Sequence, residues 1–327
     1  IVRLMEEDGP GAIAGYRGGG AFFTSSSVMM VPALLRALDS PRAYSSVTID
    51  QSAKVVALGR LGIWPPGRTP MSRSDVYLLV GANPLVSVSA NGFDTRNPTK
   101  RLRMARERGM KLIVIDPRES ETARFADVHL QPLPGEDCVV LAGLLHLVLE
   151  SGWQDRAFCE RYADDVEALR LAVRAFTPKA VAQRADVPES TLREAARLFA
   201  YECQTGPAAG ATGPDMAPGG NLAEHLIECL NIVCGRYLRE GDEIEHPGAI
   251  QARHRHSGRA ASSGRPLTEP AQVATAPGQL ATLIPGSEIA PQKESHAKHR
   301  PIRRPRARRG APRPGPGHAG PVRPVAL

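Results

Sequence analysis

Three short segments carry the residue types that hold a nucleotide. Gly81-Ala82-Asn83 sets two small residues, which let a ligand approach the backbone, beside an amide that both donates and accepts. Asp116-Pro117-Arg118 offers a carboxylate for ribose hydroxyls and a guanidinium for a phosphate or a base. Gly135-Glu136-Asp137 stands where a helix is predicted to begin, and the N–H groups there favour anions. A plainer reading stays open for each segment, because Gly and Asn also give backbone freedom to tight turns and Pro gives them rigidity. The run Gly18-Gly19-Gly20 is no dinucleotide fingerprint, since G-x-G-x-x-G is absent.

The elements around these segments place all three at strand ends. Val76 to Val80 is a continuous apolar run of strand length, expected where a strand is covered on both faces of a parallel sheet, and Gly81 follows it at once. Asn97 caps a predicted basic helix over 98–108, Gly109 stops it, and Leu112 to Ile115 is a second buried strand that ends at Asp116. A third strand at 128–130 leads through Pro134-Gly135 into an apolar helix that runs to Glu150. Upstream, an extended stretch near 12–16, a helix over 28–38, a short strand at 45–49 and a helix over 54–61 make two further strand–helix units. Helices over 163–175, 189–201 and 221–237 and a small-residue strand at 208–212 follow. The fold class is α/β, with a parallel, Rossmann-like sheet.

Composition divides the chain. Residues 247–327 contain no Phe, Trp or Tyr, thirteen Pro, fourteen Lys or Arg and only three acids, whereas residues 1–246 carry 27 basic and 31 acidic side chains. The pI of about 9.4 therefore belongs to a Pro/Arg-rich tail and not to the folded part. Without aromatic side chains to stack on bases, that tail does not read as a specific nucleic-acid site, and its composition predicts disorder. Five cysteines at 138, 159, 203, 229 and 234 show no metal-ligand spacing and read as buried free thiols. No apolar run is long enough to span a membrane and no signal peptide is visible, so the expected location is cytoplasmic, with an upstream export signal left open because the chain starts at Ile1.

Taken in order, the runs Gly81-Ala82-Asn83-Pro84, Lys111 to Arg118, Thr122-Ala123-x-x-Ala126-Asp127 and Pro134-Gly135-x-Asp137 resemble the molybdopterin oxidoreductases, the family of formate dehydrogenases, nitrate reductases and dimethyl sulfoxide reductases. The similarity continues through Asp155-x-x-Phe158, Ala195-Ala196-Arg197 and Gly235-Arg236-x-x-Arg239-x-Gly241-Asp242, and is strongest over 74–242. It implies a molybdopterin-binding core over 1–246. It also implies a molybdenum bis(molybdopterin guanine dinucleotide) cofactor, with Gly81, Asn83, Ser87, Asp116, Arg118, Gly135 and Asp137 lining the pocket for one dinucleotide arm. The stretch Thr48-Ile49-Asp50-Gln51-Ser52 matches the family's metal-ligating loop. Asp50 is then both the candidate catalytic residue and the candidate metal ligand, a hard oxygen donor whose other reading is a helix N-cap.

The implied activity is transfer of electrons or an oxygen atom to or from a small substrate such as formate or nitrate, with electron-transfer subunits as partners. The alternative is a non-catalytic relic or scaffold that keeps the same core. The cysteine spacing of the family's [4Fe–4S] segment is absent from this sequence. The change of character after Pro247-Gly248 leads us to expect a chain truncated at both ends, its tail either disordered or out of frame.

Overall fold

A computed structural model describes residues 1–46, 50–62, 67–87, 97–239, 242 and 271–272. The expected tail beyond 247 lies outside these residues except for Ala271 and Gln272. Among the described residues there are eight short strands: β1 (Gly15–Arg17), β2 (Ala43–Ser45), β3 (Val76–Val80), β4 (Lys111–Ile115), β5 (Val128–Leu130), β6 (Ala163–Asp164), β7 (Ala208–Gly210) and β8 (Ala271–Gln272). The helices are α1 (Val2–Asp8), α2 (Ser25–Ala37), α3 (Ser52–Leu61), α4 (Pro84–Ser87), α5 (Pro98–Glu107), α6 (Asp137–Glu150), α7 (Arg156–Tyr162), α8 (Val166–Val173), α9 (Pro178–Ala185), α10 (Glu189–Arg197), α11 (Thr212–Met216) and α12 (Gly220–Val233).

The main sheet has the order β5-β4-β3-β7 and is parallel throughout, with Val76 opposite Lys111, Ile113 opposite Val128 and Leu78 opposite Ala208. Side chains alternate along the strands, so each strand feeds two cores. Val76, Leu78, Val80, Ile113 and Ile115 face α6 and α12, while Tyr77, Leu79, Leu112 and Val114 pack with Leu102 and Ala105 of α5. Burial on both faces explains why β3 reads as an unbroken apolar run. Asn97 in a left-handed conformation accepts from Lys100 N at 3.2 Å, and Pro98 occupies the first helical position of α5, where its missing N–H costs nothing.

β1 and β2 pair in parallel as a separate two-stranded sheet joined through α2, as a strand–helix–strand unit requires. The strand expected at 45–49 is found at 43–45, and residues 47–49 lie outside the described residues. Three helix boundaries differ from the sequence expectation. Residues 163–164 are extended and Asp165 has φ +59, so that helix starts at Val166, because two adjacent Asp residues favour a local turn over helix. The helix from Glu189 ends at Arg197 and passes into a wider turn over 198–202. The last long helix stops at Val233, just ahead of Gly235 at φ +61, a left-handed helix terminator.

All five cysteines are buried thiols. Burial pushes the Cys203 and Cys234 thiols up to about 11 and those of Cys138 and Cys159 up to about 12, which keeps them neutral and unreactive. Among the described residues no helix is long and apolar enough to cross a membrane.

Candidate functional site

The carboxyl ends of β3, β4 and β5 are adjacent in the sheet, so the three loops read from the sequence meet along one rim. Asn83 is its keystone. Its side-chain oxygen accepts from Thr122 Oγ1 at 2.7 Å and Thr122 N at 3.2 Å, and its Nδ2 donates to Glu121 Oε2 at 2.7 Å. The β3 exit is thereby tied to the loop after β4. Glu121 is held below the usual carboxylate range by a hydrogen bond from its own backbone and by the Asn83 amide. Exposed Ser87 donates from Oγ to the Asn83 carbonyl at 3.0 Å, closing the short turn of α4.

Asp116 continues the β4–β5 ladder, its N–H donating to the Leu130 carbonyl at 3.1 Å. Its Oδ1 accepts from Arg118 N at 2.9 Å, an Asx turn that sends the Arg118 side chain outward, where it lies 3.4 Å from Glu121. Across the rim, Asp137 opens α6, and its carboxyl is pushed up by burial and by the charges of Asp116 and Glu136. The charges of Asp116 and Asp137 thus act on one another, which suits a ligand edge rich in N–H donors. Gly135, at φ +92, lines a cleft of roughly 620 Å³ with Pro134, Glu136, Arg184 and Gly219, and two long helices, α6 and α12, begin at its margin. Arg184 is paired with Glu136 at 3.0 Å, which fixes the loop against α9.

Gly81 serves a different purpose from the one its sequence position suggests. At φ +54, a Cβ there would come within 2.5 Å of Pro214 Cδ, and one on Gly213 within 2.8 Å of Gly81 Cα. The glycine is therefore accounted for by backbone-to-backbone contact between the β3 and β7 exits.

Asp50 belongs to another neighbourhood. It sits half-buried ahead of α3, its Oδ1 is buried without a hydrogen-bond partner, and its charge acts on Asp215 in α11. Beside it, Lys54 Nζ ion-pairs with Asp215, donates to the Ala211 carbonyl at 3.2 Å and lies 3.3 Å from Glu224 of α12. A second buried group follows on α12, where Glu228 takes Arg68, the Tyr237 hydroxyl and Asn231. The structure thus brings Asn83, Ser87, Asp116, Arg118, Gly135 and Asp137 to one rim and leaves Asp50 with Lys54 and Asp215 at the end of β7.

Lys54, Asp215 and Glu224 were missed by pattern reading. Helix α12 shows an apolar side of Leu222, Leu226, Cys229, Leu230 and Val233, from which a solvated opposite side is expected. Instead every residue of it except Asn221 is buried, Glu224, His225, Glu228 and Asn231 included. The available signal was two acids, Glu224 and Glu228, inside a helix whose other residues are mostly apolar.

Comparisons with known proteins show which family the chain resembles. The sequence model of the family described as molybdopterin oxidoreductase matches residues 19–303, running past the compositional boundary at 246. The chain is 29% identical over 154 residues to F420-dependent formate dehydrogenase 2 subunit alpha of Methanococcus maripaludis, covering 46% of this chain and 22% of that protein. It is 36% identical over 96 residues to formate dehydrogenase H of Escherichia coli, covering 29% of this chain and 13% of that one. The periplasmic nitrate reductase of Desulfovibrio desulfuricans is 28% identical over 144 residues, 41% of this chain and 19% of that protein. The chain spans about a fifth of the length of the curated relatives it matches. Acetylene hydratase from Pelobacter acetylenicus shares the fold at a TM-score of 0.61 and 22% identity, over 72% of this chain and 31% of that one. A family match over most of the sequence, on a parallel α/β sheet with the expected order of strand-end loops, establishes that this chain belongs to the molybdopterin oxidoreductase family.

Proposed function

We propose that this chain is the dinucleotide-holding part of a molybdenum–pterin oxidoreductase and that its rim takes the guanine dinucleotide form of the cofactor. The observation that carries this reading is the adjacency of the β3, β4 and β5 exits, which sets Asp116 and Asp137 on one rim with their charges interacting. N–H donors relieve carboxylates whose charges repel, and the guanine edge presents such donors in adjacent positions. Arg118, turned outward by its Asx turn, is placed for a phosphate or for stacking, and Gly135 lines the neighbouring cleft.

Among the described residues no group of three or more His, Cys, Asp or Glu is arranged to hold a metal, so a metal here would take most of its donors from its own organic ligand. Asp50 fits as the one protein donor, because its buried Oδ1 has no hydrogen-bond partner and a hard oxygen suits a high-valent metal. The bound group would supply two-electron or oxygen-atom transfer to a small substrate of the formate or nitrate kind. Electron-transfer subunits are the partners this reading calls for, in line with a relative that is itself named as a subunit alpha.

The test is chemical analysis of the purified chain. Molybdenum equimolar with protein, together with guanosine monophosphate released by acid hydrolysis, is expected, and Asp116→Ala should lose the nucleotide while keeping the fold. A folded wild-type chain free of both molybdenum and nucleotide would overturn the proposal in favour of a non-catalytic scaffold. Release of a different nucleotide would overturn the guanine assignment alone.

A further inference from the structure

The polar group at the end of β7 holds more acid than base, and it does so out of solvent. Lys54 Nζ faces two carboxylates, Asp215 with a side chain 1% exposed and Glu224 at 2%, while Lys54 itself is 12% exposed. Asp215 uses one oxygen on Lys54 and leaves Oδ1 buried without a partner. Glu224 Oε1 lies at ion-pair distance from Lys54 but without hydrogen-bond geometry, and it too is buried without a hydrogen-bond partner. The surroundings of Glu224 supply little relief. From β7 comes only Gly210, whose missing Cβ makes the room: one built there would sit 2.1 Å from Glu224 Oε1. One turn along α12, Glu228 adds a like charge that is already committed to Arg68, Tyr237 and Asn231. Asp50 stands behind Asp215. Helices α6 and α7 reach the two ends of α12 through Cys138 and Cys159, whose thiols point at the Gly219 and Val233 carbonyls.

One ammonium cannot neutralise two buried carboxylates, and an uncompensated buried anion costs several kcal/mol, so the lower-energy state keeps a proton on one of them. Asp215 has the closer hold on Lys54, which leaves the proton to Glu224. We propose that Glu224, which shares Lys54 with Asp215, is a neutral carboxylic acid at rest and an internal proton carrier at the end of β7. Release breaks the Glu224 O–H bond and leaves its electron pair on the carboxylate beside Lys54. Uptake forms that bond as the donor's bond to hydrogen breaks, and the donor keeps its pair. Lys54 stays protonated throughout. Burial, working against the Lys54 charge and with those of Asp215 and Glu228, pushes the Glu224 carboxyl up to about 7, which suits a group that exchanges protons near neutrality. The protonation claim stands on the residues alone; the carrier role rests on the cofactor reading above.

Infrared difference spectra of the purified full chain over a pH series test the proposal. A protonated-carboxyl band should disappear with a midpoint near neutrality, be missing in Glu224→Gln, and titrate at higher pH in Lys54→Gln, where the ammonium no longer favours the carboxylate. Should Glu224→Gln fail to fold, Asp215→Asn serves instead, and loss of its like charge should lower the midpoint. No titrating band, a band that persists in Glu224→Gln, or a midpoint unmoved in the other variants would overturn the assignment. In molybdenum-loaded chain, added reductant should raise the midpoint, because electrons delivered nearby favour the protonated form. An unchanged midpoint there would overturn the carrier role. A normal titration in chain that lacks molybdenum and nucleotide would instead count against the cofactor reading and leave the protonation of Glu224 standing.

Discussion

The same end of the sheet carries two polar regions that differ mainly in their access to water. Along the rim of β3, β4 and β5, Arg118 has a side chain 64% exposed and Glu121 one 48% exposed, and their 3.4 Å pair is screened by solvent. At the end of β7, Lys54, Asp215 and Glu224 make pairs of similar chemistry with almost no solvent. Exposed charges contribute little to stability and are free to meet a ligand. Buried charges are worth a great deal to one another and are committed to the fold and to a fixed number of protons. Residues of one chemical type thus divide into a surface suited to binding and an interior suited to holding charge.

Removing the single cation of the buried region should produce the largest effect. Lys54→Met leaves Asp215 and Glu224 facing each other without compensation, and breaking a buried pair in this way costs about 3–5 kcal/mol. Urea unfolding at pH 8 measures it. The loss should shrink at pH 5, where a proton can replace the ammonium. A loss under about 1 kcal/mol at pH 8 would show that water reaches the cluster and that the two regions do not differ.

Titration of Glu224 gives the next largest effect. Its carboxyl is raised from 4.5 to about 7 on folding, so between these values the folded chain binds more protons than the unfolded one. Stability therefore falls as pH rises through that window, by about 3 kcal/mol in total, and is flat in Glu224 above it. Asp215, raised chiefly by burial, acts in the same direction at lower pH. Denaturation midpoints from pH 4.5 to 8 should show the slope in wild type and lose most of it in Glu224→Gln. A wild-type stability that rises over this range would contradict the burial of the acid.

The sequence foretold these two regions unequally, for a physical reason. The rim was legible because its residues follow strands whose apolar runs mark their own ends, and Gly, Asn, Asp and Pro there have strong local preferences. Asn83, Asp116, Arg118, Gly135 and Asp137 were placed at one crevice by counting strands alone. The buried cluster is assembled from α3, α11 and α12, with Lys54 and Asp215 161 residues apart, and no local pattern states that such a pair will meet. Acids usually face water, but on helix α12 packing from β7, α3 and α6 overrides that tendency. Gly81 was read as room for a ligand, whereas its neighbour Gly213 was invisible until β7 was seen beside β3.

Asn83→Ala probes the rim at its most enclosed point. Thr122 is fully buried and its N–H and hydroxyl both give to the Asn83 oxygen, so truncation leaves two donors unpaired. A loss of about 1–3 kcal/mol is expected, smaller than for Lys54→Met because only neutral donors are stranded. Thermal unfolding measures it, and Asn83→Asp, which keeps the acceptor, should recover part of the loss. Equal losses in both variants would assign the effect to the Asn83 Nδ2 contact with Glu121.

Arg118→Ala should have the smallest effect on the fold and the most selective effect on binding. Its charge partner among the described residues, Glu121, is nearly half exposed and already served by the Asn83 amide, and its backbone N–H, which closes the Asx turn with Asp116, survives the substitution. A change in stability within about 0.5 kcal/mol is therefore expected. If the outward-turned guanidinium meets phosphate, the same variant should retain less guanosine nucleotide through purification and show a weaker salt dependence of nucleotide loss than wild type, since one charge-assisted contact is gone. Nucleotide content measured across a salt series separates the two effects. A destabilised Arg118→Ala with wild-type nucleotide retention would reverse the contrast between the regions, making the rim structural at the very residue where solvent exposure says it is free to bind.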